Sequence, residues 1–135
     1  MIQKPFVSGF ALSAALLTAC ASDTTKDLGA GYTLVIVGGG QNFIFHENSG
    51  IEGVPPRVIK IAYDDDYIIA VQVPNDSYDV IQDREHEYQF GIEATYHWII
   101  IKDRLLVKGP FGESEWQSAR QLWRVPPELT PVHFY

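Results

Sequence analysis

Arg57-Val58-Ile59-Lys60-Ile61-Ala62-Tyr63, then Asp64-Asp65-Asp66, then Tyr67-Ile68-Ile69-Ala70-Val71-Gln72-Val73 is a strand, a turn and a second strand in sequence. The first run alternates, with Ile59, Ile61 and Tyr63 on one side and Val58, Lys60 and Ala62 on the other. The second is apolar on both sides, as a strand covered on two faces must be. Three aspartates would supply oxygen ligands to a hard cation. A common calcium loop, however, places them at alternate positions around a glycine bend with a distant glutamate, and none of that pattern is present. The triplet therefore reads as a solvated turn, and the stretch as a hairpin.

Two further hairpins flank it. Tyr32 to Val37 and Gln41 to His46 are rich in β-branched and aromatic residues and are separated by Gly38-Gly39-Gly40. A dinucleotide-binding turn would need a third glycine at position 43 and a helix after it; Phe43 stands there, followed by a strand-like run. Tyr96 to Ile101, a Lys102-Asp103 turn and Arg104 to Lys108 form the other hairpin, ended by Gly109-Pro110. Glu113, Ser114, Glu115 and Gln117 then announce a helix with a capping box at Ser114, and Trp116, Ala119, Arg120 and Trp123 follow at helical spacing. The two tryptophans and Leu122 are expected to pack on the sheet. Pro126-Pro127 stops the helix, and Leu129 to Tyr135 is an extended aromatic tail. The expected fold is α+β: an antiparallel sheet of about five to seven strands built from hairpins, with one C-terminal helix packed on it.

The amino-terminal part reads differently. Lys4, the apolar run from Phe6 to Leu17 and the small residues after it form a secretory leader over residues 1–19, too short to span a bilayer comfortably. Leu17-Thr18-Ala19-Cys20 resembles the lipobox of bacterial lipoproteins, in which cleavage precedes the cysteine and its thiol takes a diacylglycerol. That resemblance implies a covalent lipid on Cys20, an acylated amino terminus and a mature chain starting there. It also implies attachment to the cell envelope. With Ala21-Ser22 after the cysteine, the outer membrane facing the periplasm is favoured in a Gram-negative source. Each buried acyl methylene contributes about 0.8 kcal/mol, so several chains on one residue anchor stably. Cys20 is the only cysteine, so no disulfide staples the fold. Residues 20–31, small and polar, read as a lipidated flexible tether, and residues 32–135 as one domain.

Composition narrows the partners. The chain is 46% hydrophobic and carries a formal charge of -7, which repels phosphate backbones and argues against nucleic acid; no second long apolar run follows the leader. No cofactor or metal is expected apart from the lipid on Cys20. Asp83, Glu85, His86 and Glu87 lie in the polar segment between Pro74 and Ala94 and form a candidate binding loop. His97 shares the parity of Ile99 and Ile101 and reads as a structural residue. No Gly-x-Ser-x-Gly elbow is present and the cysteine is the anchor, so no catalytic residues are assigned.

Tyr63-Asp64-Asp65-Asp66-Tyr67-Ile68-Ile69-Ala70-Val71-Gln72, Tyr96-His97-Trp98-Ile99-Ile100, and Gly109-Pro110 before an acidic amphipathic helix together resemble a family of small bacterial lipoproteins catalogued as a domain of unknown function (3997-like). The likeness covers residues 28 to about 124. It implies the fold and the anchoring and brings no catalytic or ligand assignment. The expected function is a non-catalytic, lipid-anchored envelope protein binding another envelope component by a sheet edge or the polar loop. Two alternatives stand beside it: an inhibitor or immunity-type lipoprotein acting on an exported enzyme, and a small hydrolase or metal-dependent enzyme using His86, His97 and nearby carboxylates. Convergence of those groups in a cleft would favour the last.

Overall fold

A computed structural model describes residues 23–75 and 86–134. The leader, Cys20, Asp83 and Glu85 lie outside them. Among the described residues, seven strands form two antiparallel sheets. The first contains β1 (Thr24–Gly29), β2 (Tyr32–Ile36) and β3 (Phe43–His46) in that order. The second contains β4 (Val58–Tyr63), β5 (Tyr67–Gln72), β6 (Tyr96–Ile101) and β7 (Leu106–Phe111), also in order. One helix, α1 (Glu113–Leu122), follows. The class is α+β as expected, with the strands divided between two sheets.

The second sheet is the middle layer, because β5 and β6 bury both faces. Ile68, Ala70, Trp98 and Ile100 point toward the first sheet and meet Leu28, Tyr32, Leu34 and Ile44. Ile69, Ile99 and Ile101, at the alternate positions, meet Trp116 and Ala119 of α1 and Val125 beyond it. The two apolar parities of Tyr67–Gln72 thus serve two separate cores. Trp98, at 1% exposure among the largest fully buried side chains, ties the strands of the inner core together. Truncating a buried residue of this size costs about 3–5 kcal/mol.

Several local expectations are corrected. The segment expected as tether is largely β1, paired from Thr24↔Ile36 to Gly29↔Tyr32, because Leu28 has an apolar slot to fill and is 1% exposed. In β4 the register shifts between Val58 and Lys60, so the extra residue flips the alternation. Val58 and Ile61 are buried as a result, whereas Tyr63 is 39% exposed. β7 does not stop at Gly109-Pro110 but continues to Phe111, with a shift against β6 between His97 and Ile99. Gly109 lies at φ +140, and a β-carbon there would sit 2.9 Å from the carbonyl oxygen of His97 and the ring of Trp98, so a glycine is required.

The helix begins two residues earlier than the Ser114 hydroxyl suggests. Gly112 is the N-cap, and its N–H donates to the Glu115 carboxylate at 3.1 Å, the reciprocal half of a capping box. Trp116 and Ala119 are buried, but Leu122 is 74% exposed and does not pack on the sheet. At the other end, Arg120 donates to the carbonyls of Pro126 (2.7 Å) and Leu129 (2.9 Å) and so holds the tail. The tail then bridges β4 through Ile61 and Val132, whose N–H groups each donate to the other's carbonyl at 3.0 and 2.9 Å. The outer edge of β4 is covered there. Among the described residues no helix is long and apolar enough to cross a membrane.

The acidic turn and the glycine turn are built as read, whereas the Lys102-Asp103 turn extends to Leu105, at φ +51, so that β7 starts at Leu106. The Asp64 carboxylate accepts the N–H groups of Asp66 (2.8 Å) and Tyr67 (2.7 Å), so the acidic triplet closes its own bend. Gly39 and Gly40 take positive φ values, and Gly40 N–H donates to the Val37 carbonyl at 3.0 Å, returning the chain directly into β3.

Candidate functional site

A cleft of about 330 Å³ opens beside β3, lined by Phe43, Ile44, Glu52, Gly53, Val54, Pro55, Pro56 and His86. Its floor follows from one close approach. Val54 bridges Ile44 by two backbone hydrogen bonds of 3.0 and 2.9 Å. Gly53, just before, lies so near that a β-carbon would fall on the Ile44 carbonyl oxygen. Pro55 and Pro56 then carry the chain away from β3 toward β4 and leave apolar ring surface on the wall.

Beneath the cleft runs a buried polar relay. The Trp98 indole N–H donates to Gln72 Oε1 at 2.7 Å, and Gln72 Nε2 donates to the Pro56 carbonyl at 2.6 Å and to Tyr88 Oη at 3.2 Å. Gln72 is fully buried, so both ends of its amide need partners, and it has them. This fixes the Trp98 ring, and His86 sits edge-on to it with centroids 5.0 Å apart at 81°. His86 Nε2 is 2.6 Å from Glu52 Oε2. The imidazole is mostly covered, at 13% exposure, while the carboxylate is 44% exposed at the rim. The Glu52 charge also reaches Tyr32, whose phenol is raised above its ordinary value of 10.0, first by burial and second by that carboxylate.

His97 is elsewhere. As the residue before Trp98 it points to the other face of β6, stacks on Trp116 with centroids 4.7 Å apart at 13°, and pairs with Glu113 at 2.8 Å. The strand lies between it and His86, so the two histidines do not converge. Glu87 is exposed next to His86. Among the described residues no group of three or more His, Cys, Asp or Glu side chains gathers as a metal site would require. Of the candidate loop, then, His86 reaches a cleft. Glu52, Gln72 and Trp98, which complete its surroundings, were not singled out as site residues. Glu52 sits in a Gly/Pro loop far from His86 in sequence, and nothing local marks it. The other two read as ordinary strand residues.

The walls are mainly apolar, with one histidine–carboxylate pair at the mouth. Among the described residues lining it there is no hydroxyl, thiol or amine nucleophile. Such a surface can bind an apolar group and orient a polar one beside it. No curated protein and no solved structure matches the chain. A family model described as "Protein of unknown function (DUF3997)" matches residues 29–132, from the end of β1 to the bridge made by Val132.

Proposed function

The chain belongs to the DUF3997 family of proteins of unknown function, and on that premise we propose that it is a non-catalytic, lipid-anchored protein of the cell envelope that binds another envelope component through the cleft beside β3. Two things support the reading. Leu17-Thr18-Ala19-Cys20 after an apolar leader supplies the attachment. The observation that carries the binding role is the cleft itself. Phe43, Pro55 and Pro56 offer apolar surface, and the His86–Glu52 pair, braced by Trp98 and Gln72, offers one oriented polar contact. A pocket of this size falls at the lower end of those that take a small ligand or the side chain of a larger one.

The attachment is tested by replacing Cys20. The Cys20→Ser protein should leave the membrane fraction and lose lipid labelling, and its retention there would remove the anchor. The cleft is tested by Phe43→Asp, which places a charge on the apolar wall. A component that co-purifies with the native protein from the envelope should be lost by that variant while its melting temperature stays near native. Undiminished capture would place the binding surface elsewhere.

A further inference from the structure

The strand β1 starts only a few residues after Cys20, and this short connection decides which end of the domain faces the membrane. From Cys20 to Asp23 there are three residue steps, each spanning at most about 3.3–3.6 Å, so Asp23 lies within about 11 Å of the lipidated residue whatever path the chain takes. Asp23 itself is placed: its carboxylate accepts the N–H of Gly38 at 3.2 Å, which joins the start of β1 to the turn between β2 and β3.

The same end of both sheets gathers there. Thr24 pairs with Ile36. Asn42 holds the start of β4 through its carbonyl, which accepts Val58 N–H at 2.8 Å, and through its amide, which donates to the Val58 carbonyl at 3.2 Å. Val58 pairs with Gln72, and Gln72 with Tyr96. The Tyr96 hydroxyl donates to the Gly91 carbonyl (2.7 Å) and accepts Phe90 N–H (2.8 Å), bringing the 88–92 turn to this end. Phe90, 55% exposed, rests one edge of its ring against Gly112 and leaves the rest open at this end. The opposite end carries the Gly29–Gly31, Asp64–Asp66 and Lys102–Leu105 turns.

Resting on the anchor proposed above, we infer that the mature protein lies against the phospholipid surface by the end formed by the Val37–Asn42 turn and the Tyr88–Ile92 turn, with Phe90 at the headgroup level. The acidic Asp64–Asp66 end then faces away from the bilayer. The short connection sets this orientation; charge does not, since the chain carries -7 overall. A domain about 30 Å long cannot turn over on a leash of about 11 Å.

The test is amide hydrogen exchange on the lipidated full chain in phosphatidylethanolamine–phosphatidylglycerol vesicles, compared with the same protein in detergent. Exchange at 37–42 and 88–92 should slow several-fold in vesicles, with 64–66 and 102–105 unchanged. Inserting about twelve Gly/Ser residues after Ala21 adds about 20 Å of reach and should abolish the difference. Slowing at 64–66 or 102–105, or no difference in the uninserted protein, overturns the orientation while leaving the anchor intact. The intact mass of the same sample reads the anchor separately, and an unmodified Cys20 overturns both.

Discussion

Tyr32 shows how a single residue couples the core to solution conditions. Its ring is fully buried and meets His46 edge-on at 4.7 Å, yet its hydroxyl has no hydrogen-bond partner among the described residues. His46 is occupied elsewhere: Nδ1 accepts Asn48 N–H at 3.0 Å, which leaves Nε2 as the donor to the Ala30 carbonyl at 2.9 Å. The raised phenol makes the sign of the pH effect definite. Below pH 10.0 the group is protonated in both folded and unfolded chains and the neutral form costs nothing extra. Above it the unfolded chain loses the proton first, so stability falls as pH rises through the folded value. Tyr32→Phe removes both the orphan hydroxyl and this liability. Thermal melts should find the variant within about 1 kcal/mol of native near neutrality. On the alkaline side of pH 10 it should be the more stable of the two, and an equal alkaline loss in both proteins would contradict the assignment. Legibility at this scale was uneven. The aspartate turn was readable because Asp64 acts on its own neighbours. The partnership of Glu52 with His86 was not, because it spans a long loop and depends on where Gly53 lets two backbones touch.

At the scale of elements, hairpins were readable and their edges were not. Alternation and turn residues reveal which strands are consecutive. They do not reveal that β4 carries an extra residue, since a bulge leaves composition unchanged. They also do not reveal that Thr24–Gly29 is a strand, because its outward residues are polar and only Leu28 is inward-facing and apolar. The tail depends on a similar long-range contact. Arg120, on the helix, holds the carbonyls that let Val132 reach Ile61. Removing residues 130–135 uncovers the edge of β4 while keeping the Leu129 contact. The truncated protein should retain its fold and associate with increasing concentration through the bare edge. Light scattering that showed the same mass at all concentrations would mean the tail protects nothing.

For the whole molecule, the two cores share one wall. Sheet β4–β7 contributes Ile68, Ala70 and Trp98 to one side and Ile69 and Ile99 to the other, so neither core can be lost without stripping a face of the same strands. Unfolding should therefore be a single transition. Near-ultraviolet circular dichroism, which reads the tryptophans of both cores, should coincide with the far-ultraviolet signal, and two separated midpoints would show that the cores are independent. The class and the C-terminal helix were legible from apolar parity, yet parity alone could not show that strands expected in one sheet divide into two.

Trp98 and His97 are neighbours on β6 that look in opposite directions, one braced against the cleft and the other stacked beneath the start of the helix. Because one wall of the cleft and the seat of the helix hang on adjacent residues of a single strand, a substitution that displaces the Trp98 indole should also loosen the His97–Glu113 contact on the far side.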